Sequence, residues 1–175
     1  MFPAAHAMRA AGNIAERAHP FRKESFVTRK LFVLNGPNLN MLGLREPELY
    51  GSATLEDVRA DCTRLAGELG LELFFAQSNA EHQIVEWVHD AFRQQATVVI
   101  NPAGFSFNSV PLLDALKMLV TPVVEVHITN IHARDAVHRN SLISSVSRVV
   151  IAGAGVYGYE LAIRAADRLT GEPEV

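Results

Sequence analysis

From Leu31 onward the chain alternates short, almost continuously apolar runs with longer stretches whose apolar positions recur at helical spacing. LFVLN (31–35) precedes TLEDVRADCTRLAGELG, LELFFAQ (71–77) precedes AEHQIVEWVHDAFRQ, and TVVIN (97–101) precedes SVPLLDALKML. PVVEVHI (122–128) precedes a polar segment, and RVVIA (148–152) precedes YGYELAIRAADRL. Apolar runs this short read as buried strands, and their lack of alternation predicts helices on both faces of a parallel sheet. Thr54 and Asp57 read as a helix N-cap with an acidic third position, and Gly70 as a stop before the next strand. Ile84, Val85, Trp87, Val88, Ala91 and Phe92 form a broad apolar stripe on the second helix.

This βα repetition predicts an α/β fold, a flavodoxin-like three-layer sandwich on a five-stranded parallel sheet of order 2-1-3-4-5. At 175 residues one domain is expected over 30–170, with an extension at 1–29 and a tail at 171–175. In such sheets ligands bind beyond the carboxyl ends of the strands. Those ends carry Asn35 and Asn38, then Gln77, Ser78 and Asn79, then Asn101, then Glu125, His127 and Thr129. Singly, Asn and Ser there are turn residues. Their convergence predicts a polar pocket for a hydroxylated small molecule. Glu125 and His127, two apart on one strand, share a face, which suits an acid oriented by a carboxylate. Arg134 opens a short helical-looking segment, ARDAVHRNS, and either sits on the surface or returns to the pocket as an anion clamp.

Composition narrows the partners. A net charge of −3 with 20% charged residues gives no basic excess for nucleic acid or an anionic membrane. No apolar run approaches a membrane span, so a cytoplasmic enzyme is expected. The first 30 residues are rich in Ala and Arg and lack a secretory apolar core. They read as a mobile or partner-contacting extension, a transit peptide or an over-early start. The single cysteine, Cys62, falls at helical spacing with Val58, Leu65 and Leu69 and reads as a core thiol. GAGVYG (153–158) matches GxGxxG, but it lies in the last unit with no later strand to supply a ribose-binding acid, so close helix packing explains it better. The histidines of EVHITNIHARDAVH lack metal-site spacing, and no metal or cofactor is expected.

The loop LNGPNLNMLGLREPELYG (34–51) places Arg45 close to Tyr50. A tyrosine is a poor base at its reference pKa of about 10, but a neighbouring guanidinium favours the phenolate. The pair reads as a base and its activator on a loop able to close over substrate, or as Arg45 paired with Glu46 or Glu48 beside an anchoring Tyr50.

Taken together, NGPNLNMLGLREPELYG, QSNAEHQIVEWVHDA, INPAGFSFNSVPLLDAL, PVVEVHITNIHAR and GVYGYELAIRA resemble type II 3-dehydroquinate dehydratase over residues 30 to 169. The resemblance implies a cofactor-free hydro-lyase that converts 3-dehydroquinate to 3-dehydroshikimate through an enolate, assembled as a dodecamer of trimers. It implies Tyr50 as base with Arg45 activating it, His127 as acid with Glu125 orienting it, and Asn38 stabilising the enolate through water. Asn101 would bind a substrate hydroxyl, Ile128 by its backbone and Thr129 by its hydroxyl the carboxylate. Asp114 would reach a neighbouring subunit's site, and Arg134 would support the pocket. Two positions depart from the pattern: Phe107 stands where the family has a histidine, and His138 where it has a second arginine. Three readings follow: a dehydratase of altered affinity, a relative acting on another cyclic polyol acid, or a binding protein without turnover.

Overall fold

The computed structural model of the chain describes residues 28–44 and 52–171. Most of the expected extension and tail, and the Arg45 to Tyr50 stretch, lie outside the described residues. The strands are β1 (Arg29–Asn35), β2 (Leu71–Gln77), β3 (Thr97–Asn101), β4 (Val123–His127) and β5 (Val149–Ala152). All neighbours pair in parallel, in the predicted order 2-1-3-4-5. The helices are α1 (Leu55–Glu68), α2 (Glu81–Gln94), α3 (Val110–Lys117) and α4 (Tyr157–Thr170).

Successive strand residues serve opposite layers. Leu31, Val33, Val99, Val124 and Val126 pack with residues of α1 and α4, including Val58, Leu65 and Ile163. Phe32, Leu34, Val98, Ile100 and Val123 pack with Ile84, Val88 and Leu112 of α2 and α3. Both faces of the sheet are therefore apolar, which is why the strands read as continuous runs. Thr54 and Asp57 form the reciprocal capping box that the spacing predicts, and Gly70 takes a left-handed φ of 66°. Cys62 is buried, and burial followed by the charge of Asp61 pushes its thiol up to about 12. It is a core residue. Gly158 of the GxGxxG match faces β4, where an added Cβ would stand 3.2 Å from Val126. Helix and sheet packing accounts for it.

One expectation is corrected after β4. Instead of a helix beginning at Arg134, the chain forms separate 3₁₀ turns at Ile131–Ala133 and Ala136–His138, with Arg134 extended between them. The side chains of Asn130 and Asp135 accept from the backbone N–H groups of His132 and Val137. Such side-chain caps close single turns in competition with a continuous helix.

The β1 and β3 loops touch at Gly36. Its N–H donates to the Asn101 carbonyl at 2.8 Å, and an added Cβ would stand 2.3 Å from the Pro102 carbonyl oxygen. Backbone on both sides leaves nothing soft to move. Gly36→Ala is expected to cost about 1–3 kcal/mol, read as a lowered denaturant midpoint at unchanged slope; an unaltered midpoint contradicts this packing.

Candidate active site

Beyond the carboxyl ends of β1, β3 and β4 lies a cleft of about 200 Å³. That is small for a ligand pocket and suits a metabolite better than a dinucleotide. The β1 loop contributes Pro37, Asn38, Leu39, Met41 and Leu42. Asn101, Ala103, Gly104 and Phe107 come from the end of β3 and its following turn. The end of β4 and the turns after it add His127, Ile128, Thr129, Ile131, Arg134 and His138. Thus Asn38, Asn101, Phe107, His127, Ile128, Thr129, Arg134 and His138 are brought together as the sequence suggests.

The chemistry centres on β4. Nε2 of His127 lies 2.7 Å from Oε1 of Glu125, both side chains being buried. Ser141 donates to Oε1 of that carboxylate and Ser144 to Oε2. Burial alone would raise the Glu125 pKa, but the hydrogen bonds from His127, Ser141 and Ser144 and the histidine's charge outweigh it, holding the carboxyl below its ordinary value. An ionised Glu125 takes the Nε2 proton as acceptor and stabilises the imidazolium. Nδ1 is then the ring nitrogen left for exchange with a ligand.

The strand ends do not all face the ligand. Asn35, Gln77, Ser78 and Asn79 are absent from the cleft wall; the Asn35 side chain bonds the Ala76 carbonyl and Tyr159, and the other three brace the end of β1 and its loop. Asn79 accepts from the Asn38 N–H at 2.9 Å and from Gln77 Nε2 at 3.0 Å, while Gln77 Nε2 also donates to the Gly36 carbonyl. Ser78 N–H donates to the Asn35 carbonyl. These contacts hold Asn38 at a left-handed φ of 67°, a conformation asparagine tolerates better than most residues. Glu125 sits behind His127 rather than in the wall. Asp114 lies apart from this cleft, on the exposed side of α3, where its carboxylate pairs with Lys117 at 3.0 Å.

The wall beside Arg134 is aromatic. Phe107 and His138 pack edge to face, ring centroids 5.1 Å apart at 86°. Nδ1 of His138 contacts both Asp135 oxygens, at 2.8 and 2.9 Å. That hydrogen bond is the largest influence holding Asp135 below its ordinary pKa. The pair therefore offers an apolar ring and a partly committed imidazole.

Sequence reasoning missed Ser141, Ser144 and Tyr159. The serine-rich run SLISSVS was a visible signal without an addressee, since nothing local brings it to Glu125. Tyr159 was read only as part of a helix pattern. Among the described residues no group of three or more His, Cys, Asp or Glu is placed to hold a metal, and no helix is long and apolar enough to cross a membrane.

Residues 29–167 match the family described as class II dehydroquinase. The chain belongs to that family. It is 52% identical over 132 residues to 3-dehydroquinate dehydratase 2 of Agrobacterium fabrum, covering 75% of this chain and 90% of the relative. The 3-dehydroquinate dehydratase of Brucella canis is 49% identical over 148 residues, covering 85% of this chain and 94% of the relative. The crystal structure of the type II dehydroquinase of Propionibacterium acnes is similar at a TM-score of 0.78 and 41% identity, over 81% of this chain and 97% of that one. The flavodoxin-like fold is that of class II dehydroquinases, and the cleft lies at the switch point between β1 and β3 where such a sheet exposes its strand ends.

The Glu125 cluster makes a stability prediction. Its folded pKa is depressed, so its contribution is present above the unfolded carboxyl value of about 4.3 and is lost as pH falls through the folded value. Ser144→Ala removes one donor to the ionised carboxylate, and about 1–3 kcal/mol of stability is expected to go with it at neutral pH. The gap from the parent narrows as pH falls through that folded value. Urea titrations between neutral and acid pH measure it; a gap that stays constant contradicts the assignment.

Proposed function

We propose that the chain is a type II 3-dehydroquinate dehydratase, eliminating water from 3-dehydroquinate to give 3-dehydroshikimate. The observation that carries this reading is buried His127 in the wall of a small cleft, with Glu125 bonded behind it, in a chain of the class II dehydroquinase family. In the proposed reaction Tyr50, activated by Arg45, takes the C2 proton and leaves an enolate on the neighbouring carbonyl. His127 then protonates the departing C1 hydroxyl, the C1–O bond breaks, and the enolate electrons close the C1–C2 double bond. Glu125 keeps the imidazole in register. Asn38 steadies the enolate through water, Asn101 takes a ring hydroxyl, and Ile128 and Thr129 take the carboxylate, with Arg134 supporting them.

Exposed Val110, Met118 and Val120 on and just beyond α3 support assembly of several copies, the expected dodecamer of trimers, in which Asp114 on the same helix would reach a neighbour's cleft. The test is a steady-state assay following the conjugated enone product in the ultraviolet. His127→Ala and Tyr50→Phe are each expected to lower kcat by about 10²–10⁴-fold, the usual contribution of a positioned acid or base; turnover that survives both excludes the mechanism.

The Phe107 and His138 wall favours a second reading, a relative tuned to a less hydroxylated cyclic acid. A phenyl ring leaves a buried substrate hydroxyl without its partner, which costs about 1–3 kcal/mol per lost bond. On the dehydratase reading, Phe107→His with His138→Arg lowers KM for 3-dehydroquinate by about tenfold to a hundredfold. A KM that rises instead, beside turnover of a less hydroxylated acid by the parent, supports the second reading.

A further inference from the structure

Behind the cleft a line of buried groups runs across the sheet edge and through α4. Asn35 at the end of β1, Asn101 at the end of β3 and Tyr159 on α4 are all essentially inaccessible to solvent. Asn35 Nδ2 donates to the Ala76 carbonyl at 3.0 Å, and the Tyr159 hydroxyl donates to Asn35 Oδ1 at 2.7 Å. Asn101 Nδ2 donates to the Tyr159 oxygen at 2.9 Å, and the Ala103 N–H donates to Asn101 Oδ1 at 3.3 Å.

The sense of this line is forced from both ends. A carbonyl only accepts, so Asn35 must turn its nitrogen to Ala76 and its oxygen to Tyr159. That oxygen consumes the single phenolic proton, leaving the Tyr159 oxygen only able to accept. Asn101 must therefore meet it with nitrogen, which brings the amide oxygen to the Ala103 N–H, a group that only donates. Reversing any amide would set donor against donor or acceptor against acceptor in a buried site. Burial, the largest influence on Tyr159, raises its pKa far above neutrality, so its proton stays in place throughout the working pH range.

We propose that Tyr159 is a positioning residue for substrate binding: its hydroxyl, at 2.9 Å the shorter of the two contacts on the Asn101 amide, acts with the Ala103 N–H to fix which hydrogen and lone pair remain for the ligand. Of the three side chains in the line, Asn101 is the one in the cleft wall. The remaining Nδ2 hydrogen and the second Oδ1 lone pair then meet a ligand hydroxyl in one defined arrangement. Without the tyrosine hydroxyl, Asn35 keeps its bond to the Ala76 carbonyl, but Asn101 is held only by the long 3.3 Å bond from the Ala103 N–H, and part of the population presents the wrong polarity.

This inference rests on the dehydratase reading of the cleft, and its test separates the two. With the full chain and 3-dehydroquinate, Tyr159→Phe is expected to raise KM about tenfold, the equivalent of one hydrogen bond, with kcat changed far less. In an Asn101→Ala background the same substitution is expected to add less than about twofold, because the group it positions is gone. A lowered melting temperature with unchanged KM, or a KM effect that adds in full to that of Asn101→Ala, reduces Tyr159 to a structural role and overturns the inference. A parent without turnover overturns the dehydratase reading instead.

An NMR measurement on the free parent then decides the line independently of turnover and of the variant's folding. Overhauser contacts from the Asn101 amide hydrogens to the Tyr159 hydroxyl proton are expected; contacts from those hydrogens to the Ala103 N–H in their place show the reversed amide and refute it.

Discussion

The pairing of β1 with β3, in a register that sets Asn35 against Asn101, is the constraint on which the site depends. β2 lies on the far side of β1, so the chain's course reverses at this seam and the following loops diverge, leaving a gap above the strand ends. Gly36 closes the base of that gap by bringing two backbones into direct contact, with the Asn101 carbonyl accepting its N–H. Asn38, immediately before the first turn after β1, is then carried to the cleft in a left-handed conformation that the Asn79 amide holds through its N–H.

Two polar networks are built into opposite faces of this edge. Glu125 and His127 lie on the face served by Val123 and by α2 and α3, roofed by the serines at 141 and 144. Asn35 and Asn101 lie on the other face, under α4, and meet Tyr159. The first network buries a charge and has to supply it with enough donors to offset lost hydration. The second is neutral, and its demand is directional: every donor has to find an acceptor in one consistent sense. The cleft above the edge is thus lined by an imidazole from one layer and an amide from the other.

The wall formed by Phe107 and His138 contrasts with these networks. It is made from turns rather than strand ends, and its polarity is carried by one imidazole already bonded to Asp135. That wall is separable from the Glu125 and His127 pair, because Phe107 and His138 hang on short 3₁₀ segments that the sheet register does not dictate. The scaffold thus leaves this part of the pocket open to change without disturbing the Glu125 and His127 pair.

Much of the fold was legible because it depends on short-range pattern. Continuous apolar strands, the Thr54 and Asp57 cap and the stripe on α2 are written within single segments, and they specify layers and strand faces. The Glu125 and His127 pair was legible for the same reason, since two residues apart on a strand means one face. The segment after β4 misled because its apolar and basic spacing resembles a helix, while Asn130 and Asp135 cap separate turns. Ser141 and Ser144 were opaque because the carboxylate they satisfy lies on another element. So was the division of the strand-end amides into those that face the ligand and those that brace a loop. By itself the sequence determined the family, the layered sheet and the strand face that Glu125 and His127 share, all carried by local periodicity and motif. Tertiary structure alone decided which polar groups meet, because a hydrogen bond's partner and direction depend on elements brought together by packing: Tyr159 is 124 residues from Asn35 in the chain and 2.7 Å from it in the fold.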